Sequence, residues 1–308
     1  MLKYLVIVLD DAAPSYCSYS VTHKGKILNV DVLRAGIKWA MKENLQAQVV
    51  HSDNCLTPEI QDILNQYDYC SISRKGTSRK NDIICIDGWS FSEDSLMENA
   101  IYVIRTSKTS FFENYHKLRS LFCRAAKVNA VFTDIETFTD EDLAHYESCL
   151  IELSDEICRM YQHGKKANFN LLTDRLFLDH RNSCNAGIES IALMPDGQFY
   201  ICPGFYYDGE SSIGNPSVGV KIKNLYLLDE NKSPICRICN AYQCKRCVWE
   251  NKRLTREINI PSSQQCKLSH IEQRCSSMLK SKLEKCYVLK SACDIPDNKY
   301  LDPFELLK

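Results

Sequence analysis

Cys236, Cys239, Cys244 and Cys247 stand as two C-x2-C pairs inside the run CRICNAYQCKRC. A C-x2-C pair on a turn aims two thiolates at one metal and leaves the backbone N–H groups of the turn free to hydrogen-bond sulfur. Four adjacent reactive thiols without a metal would be a chemical liability. Cys184 and Cys202 precede this knot and Cys266 follows it, giving seven candidate ligands. Four cysteines alone suit a tetrahedral zinc ion, whereas seven with long gaps between them suit two iron–sulfur clusters better. Cys275, Cys286 and Cys293 lie on or after the last helical stretch and either contribute or are inert.

The chain has 17 cysteines in 308 residues. Those of the first half (Cys55, Cys70, Cys85, Cys123, Cys149 and Cys158) fall mostly within apolar segments and read as small buried hydrophobes. A formal net charge of −1 supplies no field for nucleic acid or an acidic membrane surface. The opening MLKYLVIVLDDAAP has too short an apolar run for a signal peptide, and nothing approaches the length of a membrane span. A soluble cytoplasmic protein is expected, in which thiolates meet metals rather than form disulfides.

The elements that must position these residues come in alternation. Strands are expected at 3–9, 47–51, 82–87, 101–105, 128–133 and 168–173. Helices are expected at 31–44 with Asp31 as N-cap, at 58–66 behind Pro58, at 109–126, and at 140–163 behind Thr139. This alternation argues for parallel βα units in an open sheet or partial barrel, with its ligand site at the carboxyl ends of the strands. The basic loop 74–81 reads as a solvated linker. Past residue 183 the texture changes: Pro195-Asp196-Gly197 joins IALM and FYIC as a hairpin, a glycine-rich stretch follows, and a polar helix runs over about 262–290.

Cys184, the segment GQFYIC ending at Cys202, the knot CRICNAYQCKRC and the final Cys266 resemble the SPASM domain that is appended to radical-SAM enzymes acting on ribosomally made peptides. The knot is shorter than the common pattern by one residue in each of its last two spacings. The resemblance implies that Cys236, Cys239, Cys244 and Cys266 hold one auxiliary cluster and that Cys184, Cys202 and Cys247 hold another. The usual fourth ligand of the latter has no counterpart in NAGIES.

Radical-SAM enzymes place C-x3-C-x2-C after their first strand. The corresponding loop here is LDDAAPSYCSYS, and the three positions read Ala13, Cys17 and Ser20. One thiolate cannot retain a three-thiolate cluster. The turn expected to hold the cofactor amino group reads VVHSDN, so S-adenosylmethionine is not expected and radical-SAM chemistry by this chain alone is not expected. Tyr16, Cys17 and His51 remain as a possible vestigial site at the barrel mouth.

The segments YLVIVLDDAAPSYCSY, LRAGIKWAMKENL and CNAYQCKRCVWENKRLT resemble the CXXX repeat peptide maturase family over nearly the whole chain. The implied fold is α/β: a degenerate radical-SAM-like partial barrel over 1–180, a SPASM-like module over 181–292, and a tail over 293–308. The implied role is maturation of a cysteine-rich precursor peptide with Cys-x-x-x repeats, beside a companion radical-SAM enzyme, with one or two 4Fe–4S clusters. The alternative is a zinc-stabilised peptide-binding scaffold. No nucleic-acid or membrane partner is expected. Arg246, Trp249, Arg253 and Arg256 in the basic stretch after the knot read either as a solvated turn or as a docking face.

Overall fold

The computed structural model describes residues 2–22, 25–77, 82–181 and 183–286. The expected tail at 293–308, with Cys293, and residues 78–81 of the basic loop lie outside the described residues. The chain divides into two compact units: Met1–Cys85 with Cys184–Arg237 and Cys247–Ile260, and Ile86–Ser183 with Ile238–Arg246 and Pro261–Lys308. Past the expected boundary at 180, Cys184–Arg237 and Cys247–Ile260 belong to the first unit.

In the first unit, β1 (Tyr4–Val8), β2 (Gln46–Val50), β3 (Tyr69–Ser73) and β4 (Ile83–Asp87) are parallel neighbours in that order. On the other side of β1 lies β7 (Ser190–Leu193), also parallel to it. The antiparallel strands β8 (Phe199–Tyr200), β9 (Gly214–Asn215) and β10 (Gly219–Val220) complete that side. β7 and β8 are the expected hairpin, but they extend the main sheet rather than found a separate module. The crossover helices are α1 (Val30–Lys42) and α2 (Pro58–Leu64). Leu33, Ile37 and Ala40 of α1 and Ile60, Ile63 and Leu64 of α2 join Leu5, Ile7, Val49, Leu193 and Phe199 in one apolar core. The N-cap of α1 is Asn29 rather than Asp31. Its side-chain oxygen accepts from the N–H groups of Asp31 and Val32, which leaves Asp31 in the first turn, where its charge favours the helix dipole.

β3 was not expected. Its sequence YCSIS alternates, and Ser71 and Ser73 are buried; Ser71 is occupied by His51 through a 2.9 Å contact between Oγ and Nε2.

The second unit pairs β5 (Ile101–Thr106) with β6 (Lys127–Phe132) in parallel along their full length. The long helix expected over 109–126 is broken. α3 (Lys108–Asn114) ends at a 3₁₀ turn over Tyr115–Lys117, and α4 (Leu118–Arg124) restarts. The segment 168–173 is not a strand: a single bridge joins Phe169 to Val128. The side-chain amide of Asn170 supplies the rest of the ladder, accepting from Ala130 N at 2.9 Å and donating to Ala130 O at 3.0 Å. α5 (Asp140–Gln162) starts at the expected Thr139, which with Asp142 forms a capping box. It packs against α8 (Ser263–Lys285). Tyr146 donates to Glu272 at 2.8 Å, and Arg175 pairs with the same carboxylate.

The remaining helices belong to the first unit. α6 (Pro203–Tyr207) follows β8 and α7 (Val248–Thr255) follows the cysteine knot. Among the described residues no helix is long and apolar enough to cross a membrane.

Candidate functional site

Cys202 lies two residues past β8 and is the N-cap of α6, followed by Pro203, whose missing N–H costs nothing at a first helical position. Its sulfur makes no capping hydrogen bond to the helix. Cys247 is the N-cap of α7, and its sulfur accepts the Glu250 N–H at 3.4 Å. Both cysteines are thus helix N-caps, and at Cys247 the backbone donor favours a thiolate. Cys184 precedes a tight turn in which Asn185 and Gly187 both have positive φ, and its carbonyl accepts from Ser190 Oγ at 3.2 Å.

The three thiols Cys184, Cys202 and Cys247 lie close enough to act on one another electrostatically. Burial pushes Cys202 up to about 12, with the Cys184 charge adding to it. Burial likewise holds Cys247 well above the ordinary thiol value, with Glu250, Cys202 and Cys184 adding to it. Buried in this way the thiols are neutral, and ionising them takes a positive partner such as a metal ion. The chemistry of this donor set therefore fits a cluster or metal ion, although among the described residues no three His, Cys, Asp or Glu side chains stand together in a metal-holding group. The first unit holds one further cysteine of the module, Cys236, on a 3₁₀ turn over Cys236–Ile238.

Cys17 belongs to the same neighbourhood. Tyr16 is deeply buried, and its hydroxyl is pushed well up by burial, by Tyr19 and by the thiols of Cys17, Cys202 and Cys184. Tyr19 stacks on Tyr207 at 5.7 Å, meets Tyr16 edge-on at 5.6 Å and approaches Trp249 at 6.5 Å. This aromatic cluster joins the front loop to α6 and α7. Of the other two front positions, Ala13 is buried and Ser20 exposed. His51 stands apart from the cluster: Nε2 meets Ser71 Oγ and Nδ1 meets Ser52 O at 3.0 Å. It is 2% exposed, and burial lowers its affinity for a proton.

Gly204 makes the approach of α6 to α7 possible. A Cβ there would lie 2.7 Å from Cγ and Cδ1 of Trp249 and 2.9 Å from Cδ2. The indole is fixed from its edge by Nε1–H donation to Asp208 at 2.6 Å and covered by the Arg253 guanidinium at 5.4 Å. Trp249 is 7% exposed and Arg246 4% exposed, so neither offers a face to a partner; Arg253 is half-buried and Arg256 exposed. Lys252 of the same stretch pairs with Glu210 at 2.5 Å.

Cys239, Cys244 and Cys266 fall in the second unit. Ala241 N–H donates to Cys239 Sγ at 3.4 Å, and Gln265 Nε2 lies 3.7 Å from Cys244 Sγ. Cys266 is in the first turn of α8. His270, one turn further on, places Nε2 3.8 Å from Cys239 Sγ; counting cysteines alone missed it, although its i+4 spacing from Cys266 is legible in the sequence. Cys275 is fully buried on α8 and pushed up to about 11 by burial, which makes it a packing residue. Cys55, Cys70, Cys85, Cys149 and Cys158 are buried as expected, but Cys123 is exposed near the end of α4 and Cys286 is exposed at the end of α8.

No protein-family model matches the chain, and no curated protein matches it. Solved structures do. Native anSMEcpe with bound AdoMet and a Cp18Cys peptide matches with a TM-score of 0.62 at 10% identity, covering 94% of this chain and 100% of that one. A histidine-tagged form of anSMEcpe with bound AdoMet matches at 0.61 and 12% identity, covering 92% and 99%. The anSMEcpe complex with AdoMet and a Kp18Cys peptide matches at 0.54 and 12% identity, covering 93% and 100%. The chain has a radical-SAM-like fold. It keeps that α/β fold, with its large parallel sheet, over nearly its whole length.

Proposed function

We propose that this chain is a component of a ribosomal-peptide maturation system that acts on a cysteine-rich precursor peptide and carries auxiliary metal centres of the SPASM kind. The reading is carried by Cys184, Cys202 and Cys247 lying in one unit, near enough to influence one another electrostatically, with Cys202 and Cys247 as the N-caps of α6 and α7. These three would hold an iron–sulfur cluster, which supplies electron transfer and an iron position open to a thiolate. The Cys247 sulfur accepts the Glu250 N–H, and Tyr16, Tyr19, Tyr207 and Trp249 pack on one another beside the thiols. A peptide with Cys-x-x-x repeats offers the thiolate that such a position takes. The anSMEcpe structures with bound peptides support a peptide as the partner.

The front loop points to a division of labour. With Ala13 and Ser20 at two of three ligand positions and Tyr16 and Tyr19 packed inward, the chain relies on a companion radical-SAM enzyme for cofactor cleavage. The resemblance to CXXX repeat peptide maturases agrees with this reading. Cys239, Cys244 and Cys266 of the second unit would hold the second metal; the Cys236 that the family pattern adds to them belongs to the first unit. One observation favours zinc there, the His270 imidazole beside Cys239.

Anaerobic purification followed by iron, sulfide and zinc analysis tests the proposal, together with a titration of a synthetic Cys-x-x-x repeat peptide followed by the visible spectrum. A brown protein whose spectrum shifts on adding the peptide, but not its serine analogue, is expected. A colourless protein without iron overturns it. Incubation with S-adenosylmethionine and dithionite should yield no 5′-deoxyadenosine; its appearance would contradict the division of labour.

A further inference from the structure

His270 is poised as a metal ligand. Cys266 and His270 are four residues apart on α8 and therefore share a face, and both are half-buried. The imidazole is oriented by a relay to the knot. Gln273 donates through Nε2 to the Asn240 carbonyl at 2.8 Å, which turns its amide oxygen toward His270 Nδ1 at 3.3 Å. An amide oxygen only accepts, so Nδ1 carries the proton and Nε2 presents its lone pair toward Cys239 Sγ. A metal-ligating histidine is held in this way, with its far N–H given to an oxygen of the surrounding shell.

The spacing agrees. A thiolate sulfur and an imidazole nitrogen bound to one tetrahedral zinc, at about 2.3 and 2.0 Å, stand about 3.6 Å apart; here the two atoms are 3.8 Å apart. Cys244 faces the same turn of the helix, since its sulfur meets the side chain of Gln265, the neighbour of Cys266. Next to Cys244, Gln243 is 3% exposed, yet neither its amide oxygen nor its amide nitrogen has a hydrogen-bond partner among the described residues. Apolar packing alone does not account for so polar a buried group in the knot.

We propose that Cys239, Cys244, Cys266 and His270 form a structural zinc site. The inference rests on the reading of the knot as a metal module. Three thiolates and one imidazole are the donors of structural zinc, and the imidazole disfavours an all-thiolate iron cluster at this position. His270 takes the fourth position that the family pattern would give to Cys236.

The test uses the full chain, purified anaerobically, with zinc and iron counted per chain and the zinc shell read by X-ray absorption. About one zinc with three sulfurs and one nitrogen is expected. His270→Ala should lose the zinc, His270→Cys should regain it with an all-sulfur shell, and Cys236→Ser should keep it. A wild-type chain without zinc, zinc retained in full by His270→Ala, or zinc lost in Cys236→Ser overturns the proposal. Iron reports separately on the other centre: zinc without iron in the wild type would sink the iron–sulfur reading of Cys184, Cys202 and Cys247 and leave the zinc site standing.

Discussion

Replacing Gly204 with alanine tests how the fold brings Cys202 and Cys247 together. The new Cβ would stand 2.7 Å from Trp249 Cγ and Cδ1. Carbon atoms pack best at about 3.5–4.0 Å, so the ring must withdraw by about 1 Å. It cannot do so freely, because Asp208 holds its Nε1 at 2.6 Å and Arg253 covers the ring. Overpacking of this kind costs about 1–3 kcal/mol. A loss of about 2 kcal/mol lowers Tm by roughly 4–8 °C at domain sizes of 150–250 residues. Trp249 is two residues from Cys247, and a displacement of about 1 Å exceeds the roughly 0.2 Å that a metal–ligand bond tolerates. Thermal unfolding and iron analysis on the same anaerobic sample should therefore fall together, while zinc in the second unit is retained. A Gly204→Ala protein with wild-type Tm and wild-type iron would refute the claim that this contact sets the spacing of the two sulfurs.

Other perturbations address separate parts of the account. Lys127 and Asp174 form an ion pair at 2.7 Å with side chains 6% and 2% exposed; Lys127→Met leaves a buried carboxylate without its cation and should cost about 3–5 kcal/mol in urea unfolding, much of it recovered by adding Asp174→Leu. Burial lowers the folded-state pKa of His51 below its ordinary 6.5, so the unfolded chain binds the proton first as pH falls. Stability from this group is fully present above about 6.5 and declines as pH falls below it; in His51→Gln that part of the decline should vanish from the pH dependence of urea unfolding. Cys17→Ala should leave iron unchanged, since a lone thiol at the front loop holds no cluster. A fall of about four irons, a whole 4Fe–4S cluster, would make Cys17 a ligand, either of a front centre or of the centre at Cys184, Cys202 and Cys247.

Much of the fold was legible in the sequence, because apolar runs such as YLVIV and VNAVF make buried parallel strands and Thr139 with Asp142 announces α5. The errors have local causes. β3 hid behind two serines that are buried only because His51 and the sheet occupy them. The segment NFNLLT looks like a strand, but Asn170 replaces backbone pairing with its side-chain amide. The cysteine knot is visible in the sequence, whereas the contact of Gly204 with Trp249, which sets α6 against α7 beside Cys202 and Cys247, joins residues far apart in sequence. The i+4 spacing of His270 from Cys266 is legible, but its approach to Cys239 and its bond to Gln273 follow from the fold. Arg246 and Trp249 drew notice as surface residues from composition, and the fold buries both.

The central claim is that Cys184, Cys202 and Cys247 hold an iron–sulfur centre. Iron and acid-labile sulfide in the anaerobically purified wild type, set against the triple variant Cys184→Ser, Cys202→Ser and Cys247→Ser, test it most directly. The account predicts about four irons and about four sulfides per wild-type chain, as for one 4Fe–4S cluster, and their loss in the variant with zinc retained. A wild type without iron, or a triple variant that keeps all of it, would contradict the account.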